Sequence, residues 1–151
     1  MKVEDRIKST KALSASKKAV INLLLSGNLV SNEMREALKP FGLSLPQFNV
    51  LRILRGQHGK AANLKTVQER MVHQSSNTTR IVDKLVEKKL AVRCVCPENR
   101  RKIEMKINES GLSLLKRLDS KVEQAEGNIV RDLDEKEQKT LNTLLEKLLN
   151  D

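Results

Sequence analysis

Apolar residues recur at helical spacing from residue 16 to residue 38. Val20, Ile21, Leu24, Leu25, Leu29, Val30 and Met34 form a broad stripe, and Lys39-Pro40-Phe41-Gly42 ends it. The preceding residues, 1–13, are polar and basic and read as a loose arm or a short helix. Ser44 then reads as an N-cap, with Pro46 in the first turn, where a missing N–H costs little. Phe48, Leu51 and Leu54 give the helix that follows a buried face to about Arg55, and residues 56–61 read as a loop. Asn63 caps a second short helix with Leu64, Val67 and Met71 on one face. A third is expected to start at Gln74 or Ser75 and to bury Thr78, Ile81, Val82 and Leu85.

At Leu90 the period changes from helical to alternating. Leu90, Val92, Cys94 and Cys96 alternate with Ala91, Arg93 and Val95, and Ile103, Met105 and Ile107 alternate with Lys102, Glu104 and Lys106. The turn Pro97-Glu98-Asn99-Arg100-Arg101 between them makes a two-stranded hairpin. Asn108 caps a long helix carrying Leu112, Leu115, Leu118, Val122, Ala125 and Ile129. Asp134 and Glu137 form a capping pair for a last helix, whose Leu141, Leu144, Leu145 and Leu148 are expected to face inward. The fold class is therefore mostly α with a small β-hairpin. It divides into an N-terminal arm and helix over 1–42, a winged helix-turn-helix over 43–107, and helices suited to dimerisation over 108–151.

Charge sharpens this picture. The chain of 151 residues has a net charge of +10. Residues 1–51 carry +4, residues 52–106 carry +9 (14 Lys and Arg against 5 Asp and Glu), and residues 107–151 carry −3. A basic excess concentrated in the segment with three short helices and a hairpin points to double-stranded DNA. A helix fits the major groove, and the third short helix turns Ser75, Ser76, Asn77, Thr79 and Arg80 away from its apolar side. The hairpin tip, Asn99, Arg100, Arg101 and Lys102, is suited to the minor groove, where negative potential holds a guanidinium. Lys84, with Lys65, Arg70, Lys88, Lys89 and Arg93, is either a phosphate contact or plain surface charge.

Composition excludes other classes. With no Trp, no Tyr and two Phe, there is no stacking platform for single-stranded nucleic acid. No run spans a bilayer and the N-terminus reads as no secretory signal, so no membrane partner is expected and the expected setting is cytoplasmic. No Gly-rich phosphate loop, H-E-x-x-H or nucleophile elbow occurs, so no enzyme activity, catalytic residue or cofactor is expected. His58 and His73 lie outside metal-ligand spacing, no metal site is expected, and Cys94 and Cys96 are read as packing residues rather than thiol sensors.

Residues 43–148 resemble the MarR family of bacterial transcription regulators. The resemblance rests on Leu43-Ser44-Leu45-Pro46-Gln47-Phe48-Asn49-Val50-Leu51 and on Asn77-Thr78-Thr79-Arg80-Ile81-Val82-Asp83-Lys84-Leu85. Pro97-Glu98-Asn99-Arg100-Arg101 and Ile107-Asn108-Glu109-Ser110-Gly111 are similar to the family's wing signature and the motif after it. It implies a homodimer on a near-palindromic operator, usually a repressor released by a ligand or an oxidant; no effector can be named. Three positions depart from the pattern: Asn99 stands where Asp is usual, Lys89 where Gly is common, and Asn108 where Thr is usual. Ile129, Leu133, Leu141, Leu144, Leu145, Leu148 and Leu149 exceed what one small winged domain needs, which suggests a helical dimer interface. The alternative is a helical protein–protein module whose winged domain binds a protein partner.

Overall fold

The computed structural model describes residues 2–72, 77–96, 98–99 and 102–149. The elements in order are α1 (Val3–Arg6), α2 (Ala15–Leu38), a 3-10 turn (Lys39–Phe41), α3 (Leu45–Arg55), β1 (Ala62–Asn63), α4 (Leu64–Arg70), α5 (Thr78–Glu87), β2 (Ala91–Val95), β3 (Ile103–Ile107), α6 (Glu109–Val130) and α7 (Glu135–Leu149). They form two compact units, one of residues 35–124 and one of residues 1–34 with 125–151.

In the unit of residues 35–124, α3 lies at the centre. Ser44 Oγ accepts from the Gln47 N–H at 3.3 Å while Gln47 Oε1 accepts from the Ser44 N–H at 3.1 Å, which satisfies two otherwise orphaned donors. Beyond the expected Phe48, Leu51 and Leu54, Val50 and Ile53 are also buried, so α3 is enclosed on most sides. Elements α4, α5 and β3 pack on it, and the same unit buries Val67 of α4, Val82 and Leu85 of α5, Met105 of β3, and Leu115 and Leu118 of α6. Gly42 ends the 3-10 turn at φ 65°, the left-handed region that glycine enters without a Cβ penalty. Asn63 caps α4, its Oδ1 accepting from the Thr66 N–H at 2.8 Å.

The hairpin is part of a larger sheet than the sequence indicates. It has three antiparallel strands in the order β1-β3-β2, with Ala62 opposite Met105 and Asn63 opposite Glu104. Two residues are too few to show a period, and the loop reading of the preceding residues hid the strand. The wing's core face also differs from the more apolar of its two alternating sets: Ala91 is buried, whereas Val92 is exposed. Finally, α5 begins at Thr78 rather than at Gln74 or Ser75. Ser and Asn compete for backbone hydrogen bonds and favour the approach to a helix over its interior. Thr78, by contrast, is fully buried, and its hydroxyl donates to Met71 Sδ at 3.6 Å.

In the other unit, Asp134 Oδ1 accepts from the Glu137 N–H at 2.8 Å and Glu137 Oε2 from the Asp134 N–H at 2.9 Å, the expected cap of α7. The expected inward face of α7 is not seen. The helix has no buried residue, with Leu144 57% and Leu148 67% exposed. On α2, Val20, Leu23, Leu24 and Leu29 are exposed as well, Leu24 to 65%. The apolar spacing of both helices is real, but a single chain does not cover it. The short α1 is tied to α2 by Lys18 Nζ, 3.1 Å from Glu4 Oε1. The backbone N–H of Glu4 and then Lys18 hold the Glu4 carboxyl below the usual carboxylate range.

Candidate nucleic-acid interface

Helix α5 is amphipathic, with one buried side and one exposed side. Thr78, Val82 and Leu85 are buried along one side. At 100° per residue, Arg80 lies nearly opposite that side, flanked by Thr79 and Lys84, and all three are exposed, as is Asn77 at the N-terminus. The acidic side chains of the same surface are engaged. Asp83 Oδ1 accepts from Arg93 of β2, and Glu87 Oε2 lies 2.9 Å from Lys84 Nζ. Among the described residues, no acidic partner meets Arg80. The exposed Lys84–Glu87 pair is worth little in water and leaves Lys84 free to exchange partners. Two of the expected readout residues, Ser75 and Ser76, lie outside the described residues.

The end of α5 is fixed by a joint that the sequence only hinted at. Lys89, where the resembling family commonly has Gly, adopts φ 57°. Its carbonyl accepts from Asn108 Nδ2 at 2.8 Å, while Asn108 Oδ1 accepts from the Gly111 N–H at 2.9 Å. One amide side chain thus caps α6 and holds the last turn beyond α5. Gly111 permits the approach: a Cβ there would stand 2.2 Å from the Leu90 carbonyl oxygen. Lys88, read as a phosphate contact or surface charge, donates to the Gly42 carbonyl and, at 3.2 Å, to Gln47 Oε1, so it braces α3. Arg93 is likewise committed, to Asp83. Asn49, which sequence reasoning passed over, accepts from the Val72 N–H at 3.1 Å and ties α3 to the turn after α4.

The wing extends from β2 and β3, paired from Ala91–Ile107 to Val95–Ile103. At its tip, Asn99 and Lys102 are exposed, and the Lys102 N–H donates to the Asn99 carbonyl at 2.9 Å. Arg100 and Arg101 lie outside the described residues. Cys94 and Cys96 are free thiols and half-buried rather than part of the core. Among the described residues, no cluster of three or more His, Cys, Asp or Glu is placed to hold a metal ion, and no helix is long and apolar enough to cross a membrane.

Helices α3, α4 and α5 with a three-stranded sheet and a protruding hairpin define a winged helix-turn-helix protein. The sequence model of the MarR family matches residues 41–102. The chain is 27% identical over 125 residues, 83% of its own length and 88% of the relative's, to the HTH-type transcriptional repressor Rv2887 of Mycobacterium tuberculosis. A MarR transcription factor from Planctomyces limnophilus superposes with a TM-score of 0.71 at 29% identity, over 90% of this chain and 98% of that one. A cysteine-to-serine variant of MarR from E. coli, solved in complex with operator DNA, superposes with a TM-score of 0.78 at 22% identity, over 85% of this chain and 91% of that one. The chain is thus similar to MarR-family transcription regulators in fold and, over its winged segment, in sequence.

Proposed function

We propose that the protein is a homodimeric repressor that binds a near-palindromic operator and is released by a ligand or other signal. In this reading α5 enters the major groove, where Asn77, Thr79 and Arg80 face base edges, with Ser75 and Ser76 ahead of them. Asn99, Arg100, Arg101 and Lys102 take the wing into the minor groove, and Lys84 meets a phosphate. The observation that carries the reading is Arg80: exposed, opposite the buried side of α5, and beside acids already engaged by Arg93 and Lys84. Arg is shaped for bidentate contact with guanine.

The homodimer is supported by the exposed leucines of α2 and α7 in the unit of residues 1–34 and 125–151. A surface of that kind is rare on a monomer. Two copies of one chain joined there would present two α5 helices to two half-sites related by the same two-fold axis. The repressor role is supported by the name of the mycobacterial relative. Operator binding is supported by the complex of the E. coli protein. A cytoplasmic site of action fits this role.

Selection of duplexes from a randomised pool, followed by light scattering of the free protein, tests the proposal. The expected result is an enriched inverted repeat and the mass of two chains. Failure to enrich any duplex, with capture of a protein partner through the winged domain, would favour the interaction-module reading instead.

A further inference from the structure

Directly opposed residues of an antiparallel pair lie on the same face. One face of the wing therefore carries the pairs Ala91–Ile107, Arg93–Met105 and Val95–Ile103. Ala91 and Met105 are buried in the core. The same face carries apolar residues one step further than the core reaches: Val95 is 68% and Ile103 47% exposed. This face is turned toward α5, because its Arg93 bonds Asp83 of that helix. The pair thus occupies the stretch of wing between the readout helix and the hairpin tip.

We propose that the Val95–Ile103 pair is an apolar contact surface for the minor groove of double-stranded DNA, packing against sugar edges beside the basic tip. This rests on the DNA-binding reading above and adds to it a contact made without charge. The surroundings favour this occupant over a second copy of the chain. Residues 88–106 hold seven Lys and Arg against two Glu, so two wings repel each other while a polyanion is attracted. Minor-groove proteins frequently place apolar side chains, Ile among them, in the groove. Both residues are β-branched, with χ1 already restricted, so ordering them on contact costs little.

The electrostatic and apolar parts of wing binding differ in salt response. Losing a phosphate contact flattens the dependence of affinity on salt by about 0.9 per contact, whereas losing an apolar contact leaves the slope alone. The test uses the full chain, a duplex selected by the wild type from a randomised pool, and binding titrations at four salt concentrations. Val95→Thr combined with Ile103→Thr keeps β-branching and strand preference and removes apolar surface. The expected result is about a five- to tenfold loss of affinity, with an unchanged salt slope and unchanged thermal midpoint. Lys102→Ala is expected to lower both affinity and slope. Unchanged affinity of the double variant, or a loss accompanied by a flatter slope or a fallen midpoint, would overturn the inference and leave the DNA-binding reading standing. A change in the mass of the free protein on making the double variant would overturn it in favour of self-association. Absence of duplex binding by the wild type would overturn both.

Discussion

Gly111 is the residue at which a single methyl group has the most to disturb. A Cβ added there would lie 2.7 Å from Ile107 Cγ1 and 2.2 Å from the Leu90 carbonyl oxygen. The first contact is with a side chain that can rotate. The second is with backbone and cannot be relieved by a rotamer. Carbon and carbonyl oxygen meet comfortably at about 3.3 Å, so the first turn of α6 would have to move roughly 1 Å from the end of α5. That movement breaks into the Asn108 joint, whose two hydrogen bonds measure 2.8 and 2.9 Å. Overpacking of this kind costs about 1–3 kcal/mol, and the backbone clash argues for the upper end. Alanine's better helix propensity returns up to about 1 kcal/mol. Gly127, on the same helix with nothing of its own chain within 4 Å of its hypothetical Cβ, supplies the control without an intrachain clash. Urea unfolding of Gly111→Ala and Gly127→Ala at one protein concentration separates the two effects. The midpoints should differ by about 1–2 M, Gly127→Ala at or above the wild type and Gly111→Ala well below it. Equal midpoints for the two variants would refute the steric reasoning.

The other expectations are simpler to state. Leu144→Asp places a charge on a helix face that a single chain leaves exposed, so light scattering at micromolar concentration should give a one-chain mass with helical content retained; an unchanged mass would contradict the homodimer. Cys94→Ser with Cys96→Ser should leave duplex binding and its release unchanged, whereas peroxide abolishing binding of the natural chain but not of the double variant would make the thiols sensors. Glu4 has its carboxyl lowered by its own backbone N–H and by Lys18, so its contribution is full above the ordinary carboxylate range and is lost as pH falls through the lower folded value. The protection of α1 amides, taken relative to their intrinsic exchange rate at each pH, should therefore fall on acidification below about pH 4.5, and Glu4→Gln should remove that pH dependence.

Local signals were legible in the sequence where one side chain decides them. The Ser44, Asn63 and Asn108 caps and the Asp134–Glu137 pair all sit where cap chemistry indicates. The MarR resemblance likewise rests on short motifs of such residues. Features that depend on distant partners were not legible. β1 exists because Ala62 finds Met105 across the fold, and two residues carry no period of their own. Lys88 and Arg93 look like free surface cations in the sequence, yet one braces Gly42 and Gln47 and the other holds Asp83. The leucines of α7 show the correct spacing but not what covers them, because spacing does not distinguish a partner within the chain from one outside it. Lys89 is the instructive intermediate. It stands where the resembling family commonly has Gly, the residue that enters the left-handed region freely, and its own φ is 57°, with a hydrogen bond from Asn108 to its carbonyl.

The central claim is that α5 reads DNA through Arg80, and one set of titrations tests it most directly. Wild type and Arg80→Ala are titrated against a selected duplex and a scrambled duplex of equal length at several salt concentrations. The wild type should bind both in a salt-dependent manner and prefer the selected duplex. Arg80→Ala should lose about 1–3 kcal/mol of that preference, through relaxed choice at one position in each half-site, while its affinity for the scrambled duplex changes far less. No duplex affinity at low salt, or an Arg80→Ala variant that discriminates as well as the wild type, would contradict the claim.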